Sequence, residues 1–263
     1  MKDNPMYVVC FFWYGERMIK PGTKPREATG DPSFLRLLQR AGSIDYAMAS
    51  KYVNNLYRGV AKHATEPFKF VCFTNEPLTV DTEVEIRNFP IMTGKGVIPR
   101  MYMFSKEAGM HGHQVLSLDI DVVITGPLTD IMGYKGEFCT RRTFAPGEGL
   151  QIDGDIMSFQ AGEDNEERFW KPFIKDLPKA LEISNGGRER YWVRHVATDI
   201  ADIWQDFLPG QVLSYKRHVR SRQRVPSGAR IVSCHGHPRP HQLSHESPFL
   251  YNRWDLETKQ AEK

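Results

Sequence analysis

The chain has 263 residues, 40% hydrophobic and 25% charged, long enough to bury a sizeable core and unlike a disordered or low-complexity sequence. Its longest apolar run, residues 7–14, falls far short of the ~20 residues that span a bilayer. The opening MKDNP lacks the charged and apolar regions of a secretory signal, so the expectation is a cytoplasmic protein without a transmembrane segment. The net charge of +3 is uneven: residues 207–245 hold seven Lys or Arg and no Asp or Glu, which leaves the rest of the chain at −4 and points to a polyanionic partner.

Residues 7–13 (YVVCFFW) form a continuous apolar, β-rich run, the pattern of a buried parallel strand. Glycines and prolines from Gly15 to Pro32 then predict a long loop. Residues 43–64 place Ile44, Ala47, Val53, Leu56, Val60 and Ala61 at helical spacing, with Ser43 as N-cap. Residues 68–73 (FKFVCF) and 83–89 read as strands. Pro99 starts a predicted helix that ends at Gly109, and residues 114–125 (QVLSLDIDVVIT) read as one strand stopped by Gly126-Pro127. Further strands are predicted at 137–142 and 155–159, and helices at 163–181, interrupted at Pro172, and at 191–207. The alternation of strands and helices predicts an α/β fold with a mostly parallel central sheet flanked by helices. We read residues 1–263 as one domain: a nucleotide-binding half (1–125), a half that completes the metal and acceptor sites (126–255) and a disordered tail (256–263). The four cysteines are far apart and form no CxxC pair, so they read as reduced core thiols.

The segment that carries chemistry is Leu118-Asp119-Ile120-Asp121-Val122. In a strand, residues two apart share a face, so Asp119 and Asp121 would point the same way out of an apolar element. Two adjacent carboxylates in low dielectric need a counter-charge, and Mg²⁺ or Mn²⁺ supplies one while also bridging the phosphates of a nucleoside diphosphate. A DxD triplet alone is common by chance; its place in an apolar strand after an α/β half-domain gives it weight. The second constellation is His235-Gly236-His237-Pro238-Arg239-Pro240-His241. Imidazole suits Mn²⁺ as a third ligand, Gly236 lets the backbone approach a phosphate, and Arg239 suits a bidentate phosphate contact.

An apolar strand ending in LDxD, followed some ninety residues later by SYK and then by an HGxPRPH turn, resembles the GT-A glycosyltransferases, in particular the glycogenin-like and lipopolysaccharide-galactosyltransferase-like retaining enzymes and short bacterial and phage members. The resemblance covers residues 7–254. It implies a GT-A-type domain that transfers a sugar from a nucleoside diphosphate sugar, with UDP the expected carrier, to a hydroxyl with retention. It also implies Mn²⁺ or Mg²⁺ on Asp119, Asp121 and His235, and donor contacts from Trp13, Tyr14, Lys95, Arg100, Gly236 and Arg239. The chain departs from the family pattern around the sugar. Gln151-Ile152-Asp153-Gly154-Asp155 stands where Asn-Ser is usual, and Ala197-Thr198-Asp199 where Gly-Asp-Gln is usual. Asp155 and Asp199 are therefore the candidate catalytic carboxylates, for sugar orientation or nucleophilic assistance.

The expected acceptor is a saccharide or lipooligosaccharide held by Arg220, Arg222 and Arg224. The alternative is a hydroxylated base in DNA, with Phe207 or Tyr215 stacking on it. A metal-dependent nucleotide-sugar hydrolase is the rival activity.

Overall fold

The computed structural model describes residues 5–13, 46–90, 98–144, 151–185 and 187–257. Within them a large sheet has the order β3-β2-β1-β4-β7-β6-β8, and a small sheet the order β5-β10-β9. The large sheet comprises β1 (Met6–Phe11), β2 (Phe68–Phe73), β3 (Val84–Arg87), β4 (Gln114–Leu118), β6 (Phe138–Arg142), β7 (Ile152–Gln160) and β8 (Asp202–Ile203). The small one comprises β5 (Val122–Ile124), β9 (Val212–Ser214) and β10 (Ile231–Ser233). In the large sheet β3, β2, β1 and β4 are parallel, β7 runs antiparallel to both β4 and β6, and β8 is parallel to β6.

β1 lies inside the sheet and is buried along its whole length. Its alternate residues feed two cores. Met6, Val8, Cys10 and Phe12 face the layer containing α1 (Tyr46–His63) and the small sheet. Tyr7, Val9, Phe11 and Trp13 face the opposite layer, which includes α3 (Glu189–Ala197). Helix α1 buries Ala49, Tyr52, Val53, Leu56 and Val60, one apolar stripe at helical spacing. The four cysteines are free and buried in these cores.

Several predicted elements end differently. Residues 98–108 form two 3₁₀ segments, Ile98–Phe104 and Lys106–Ala108, and not one α-helix. Ser105 divides them, its side chain accepting from the Ala108 N–H at 3.2 Å. The helical stretch from Glu163 passes through Pro172, whose position in the first turn of a new helical segment requires no N–H. It breaks at Asp176, whose carboxylate caps α2 (Leu177–Ile183). The predicted helix 191–207 is α3, β8 and a short turn.

The chain's end is not loose at 256. Helix α4 (Pro248–Trp254) leads to a buried Leu256, whose N–H donates to Asn55 at 3.3 Å. Glu257 pairs with Lys51 and Arg58 of α1. Residues 258–263, like Ser43, Ile44 and the 15–32 loop, lie outside the described residues. No described helix is long and apolar enough to cross a membrane.

Candidate active site

β4 and β5 follow one another in the chain but belong to different sheets, and the step between them is the turn Asp119-Ile120-Asp121. Backbone bonds fix it: the Asp119 N–H donates to Asp155 at 2.8 Å, Val122 to Asp119 at 3.2 Å, and Cys234 to Asp121 at 3.3 Å. The predicted single strand 114–125 is thereby corrected. Strand alternation does not orient the two aspartates; the turn does, and it sends them to different partners.

Each carboxylate meets a guanidinium. Buried Arg100 bonds Asp119, the Glu189 carboxylate at 3.2 Å and the Ser117 hydroxyl at 3.1 Å. Arg239 pairs with Asp121. Arg141 pairs with Asp155 and, at 3.1 Å, with Asp153, while the Ser233 hydroxyl donates to Asp155 at 2.7 Å. Burying Asp121, Asp155 and Glu189 is tolerable because each has a cation or a donor, while the Asp119 side chain stays 37% exposed. The alternation expected of Asp119 and Asp121 operates instead in β7, where Asp153 and Asp155 share a face and grip the same Arg141.

The charge states follow from these contacts. Burial would raise Asp155, but the Arg141 charge and the Arg141 and Ser233 hydrogen bonds hold it below the usual carboxylate range. Burial pushes Asp119 up to about 6, Arg100 opposing and Asp155 adding repulsion. Burial pushes Glu189 up to about 8, again against Arg100 and helped by Asp119 and Asp153. A protonated Glu189 beside Asp119 is thus a proton-carrying group in a cluster of carboxylates. Gly154 makes room for it: a Cβ there would lie 2.7 Å from the Glu189 Oε1.

The turn after β10 packs directly against the acidic turn. β9 and β10 are parallel with Ser214 opposite Ser233, so Lys216 and Gly236 leave the small sheet at the same edge. Gly236 has φ +70°, a backbone conformation that favours glycine, and the Lys216 Nζ lies 2.7 Å from where a Cβ would stand. The Lys216 amine is pushed below its ordinary value by burial and by Arg220. His235 meets the Ser214 hydroxyl at 2.9 Å and stacks on Phe144, whose ring also carries the Arg141 guanidinium at 4.3 Å.

The donor set of two carboxylates and one imidazole has the chemistry of a Mn²⁺ or Mg²⁺ site, and all three residues lie where β4, β5 and β10 meet. Their side chains as arranged do not fit a cation, because Asp119 and Asp121 are engaged by Arg100 and Arg239 and His235 turns to Ser214. Among the described residues no three His, Cys, Asp or Glu side chains are grouped to hold a metal ion.

The structure therefore brings together Arg100, Asp119, Asp121, Asp155, His235, Gly236 and Arg239. It does not bring Asp199, which is exposed beyond the far end of α3 and pairs with Arg168 at 3.3 Å. Glu189 opens that helix and faces the site; the nine-residue helix, about 13 Å long, lies between the two. Trp13 is buried against Phe11 and Phe89 and is a core residue. Tyr215 is fully buried and cannot stack on a base, whereas Phe207 is exposed. Tyr14 and Lys95 lie outside the described residues. Arg220, Arg222 and Arg224 are exposed, and Arg220 pairs with Glu246 at 2.5 Å. Sequence reasoning missed Glu189, Arg141, Asp153, Ser233 and Lys216. The SYK triplet contained Lys216, and the Asp153-Gly154-Asp155 alternation was readable once 152–155 was recognised as strand.

No family model matches the sequence, and neither does any curated protein. Solved structures do match in fold. The glycosyltransferase GlyE of Streptococcus pneumoniae TIGR4 aligns with a TM-score of 0.57 at 10% identity, over 97% of this chain and 61% of GlyE. The bifunctional glycosyltransferase WbbM aligns at 0.54 and 8% identity, over 98% of this chain and 52% of WbbM. An active-site mutant of LgtC aligns at 0.56 and 10% identity, over 81% of this chain and 91% of LgtC. The chain thus spans about three fifths of GlyE and about half of WbbM. Its fold is the α/β fold of these GT-A-like glycosyltransferases.

Proposed function

We propose that this protein transfers a sugar from a nucleoside diphosphate sugar, with UDP the favoured carrier, to a hydroxyl of a saccharide or lipooligosaccharide, with retention. The observation that carries the reading is the meeting of two unlike turns: the acidic turn Asp119–Asp121, backed by Asp155 and Glu189, and the basic residues Lys216 and Arg239 around Gly236, joined by the Arg239–Asp121 pair. The fold shared with GlyE, WbbM and LgtC supports it.

Departure of the diphosphate builds negative charge on its bridging oxygen. Lys216, Arg239 and the open backbone at Gly236 are the groups of this chain suited to receive that charge. Asp155, held ionised by Arg141 and Ser233, would orient sugar hydroxyls, and protonated Glu189 would donate a hydrogen bond there. No step is assigned to a divalent cation, whose binding through Asp119 and Asp121 would require both guanidinium groups to move.

A second acceptor reading, a hydroxylated base in DNA, is favoured by one observation: the exposed Arg217, Arg220, Arg222 and Arg224 follow directly on the Ser214 that meets His235. The deciding experiment incubates the protein with a panel of nucleotide sugars, with Mn²⁺, Mg²⁺ or EDTA, against saccharide and modified-DNA acceptors. Sugar transfer is expected; hydrolysis without transfer would establish a nucleotide-sugar hydrolase, and no turnover with any donor would overturn the reading.

A further inference from the structure

The C-terminal end of β5, the end away from the acidic turn, carries a second concentration of chemistry. The C-terminal end of α1 and helix α4 flank it and leave a cavity of about 360 Å³. Its floor is apolar, with Ile124 and Leu256, and its polar lining is Lys62, His63, Asn252 and Arg253. No carboxylate lines it among the described residues. The two acids that flank Leu256 in the chain, Asp255 and Glu257, both pair with Lys51.

The cations here are positioned. Arg253 donates from Nη1 to the Thr125 carbonyl at 3.0 Å, which anchors the guanidinium where it lines the cavity. Thr125 in turn donates its N–H to Arg230 at 2.7 Å, so a further arginine starts from the same corner. The His63 carbonyl accepts from the Leu128 N–H at 2.9 Å, fixing that end of α1. Crowding is visible in His63, which burial and then the charges of Lys62, Arg253 and Arg230 hold below the ordinary imidazole range. Lys62 and His63 close α1 and Arg253 closes α4, where the helix carbonyls already favour cations, and a bound anion offsets the mutual repulsion that remains.

We propose that this cavity is a second anion site that takes a phosphate group, separate from the sugar-transfer mouth. Lys62 and Arg253 supply charge-assisted donors, and Asn252 and His63 supply hydrogen bonds to the remaining oxygens. The apolar floor suits the carbon skeleton of a phosphate ester. Along β5, Thr125 lies four residues from Asp121, about 13 Å, so phosphate here and a diphosphate in the mouth do not compete for the same side chains.

The test is a titration of the isotope-labelled protein with inorganic phosphate, followed by backbone amide NMR. Amides of residues 59–63 and 252–256 should shift with their own saturation midpoint, apart from those of 214–216 and 235–239. In the Lys62→Gln/Arg253→Gln variant, whose substituted side chains are exposed, that midpoint should rise by about tenfold or more while the mouth's stays unchanged. Shifts confined to the mouth, or an unchanged midpoint in the variant, would overturn the proposal. Co-sedimentation with phosphatidylcholine vesicles, with and without phosphatidylglycerol, identifies the source. Pelleting that needs the anionic lipid and is lost in the variant supports a lipid phosphate; phosphate binding without pelleting supports a soluble ester.

Discussion

The Ser233 hydroxyl donates to the Asp155 carboxylate at 2.7 Å, joining the last strand of the small sheet to β7 of the large one. Asp155 is at the same time the partner of buried Arg141, so one carboxylate ties both sheets to a cation that has little water. Asp155→Ala should cost about 3–5 kcal/mol because it leaves Arg141 with Asp153 alone, and Ser233→Ala about 1 kcal/mol. Urea unfolding of the two variants measures this. Equal losses would mean that the Arg141 pair is not what Asp155 stabilises.

Acid should weaken the same contact. The folded pKa of Asp155 is depressed, so its contribution is present above the unfolded carboxylate value and is lost as pH falls through the folded one. Glu189 has the opposite sign. Raised to about 8, its contribution is full below the unfolded glutamate value and declines as pH rises through about 8. Glu189→Gln, which mimics the protonated form, should flatten the fall in melting temperature across the weakly acidic to weakly basic range. An unchanged profile would show that Glu189 ionises normally.

Gly236→Ala should destabilise the protein by about 1 kcal/mol, from the left-handed backbone alone. It should also displace the Lys216 amine, which stands 2.7 Å from the new methyl position. A larger proportional loss in UDP-induced thermal stabilisation than in overall stability is the expected signature.

Asp121→Ala removes the partner of buried Arg239 and should abolish sugar transfer while the fold persists. If a cation takes part, UDP should raise the melting temperature of the parent more with Mn²⁺ than with EDTA, and Asp121→Ala should erase the difference. Full turnover by Asp121→Ala in EDTA would remove this aspartate from the chemistry.

Replacing Arg220, Arg222 and Arg224 by Gln should leave UDP binding nearly unchanged, since Lys216, Gly236 and Arg239 are untouched. With an anionic acceptor, activity of the parent should fall steeply as salt rises and that of the triple variant less steeply. With a neutral saccharide both should be flat. Arg220 should contribute least of the three, because Glu246 already neutralises it.

What the sequence determined by itself was set by short-range pattern. The uninterrupted apolar run that includes β1 required burial on both faces; the spacing in α1 required one apolar stripe; the acidic LDID and the glycine of HGHPRPH marked the two turns that meet at the site. Those features follow from periodicity and residue chemistry, which act locally. Tertiary structure decided the rest. Whether 114–125 is one strand or two depends on Asp119 and Asp121 finding backbone partners at Asp155 and Cys234, far away in the chain. Arg141, Glu189 and Lys216 became site residues only when β6, α3 and the turn after β9 were packed beside that turn. Asp199 and Trp13 left the site for the same reason: an exposed pairing with Arg168 and an apolar berth against Phe89 were available to them. A charged side chain's partner is set by three-dimensional proximity and by the cost of burying it alone, and neither is written in its neighbours along the chain.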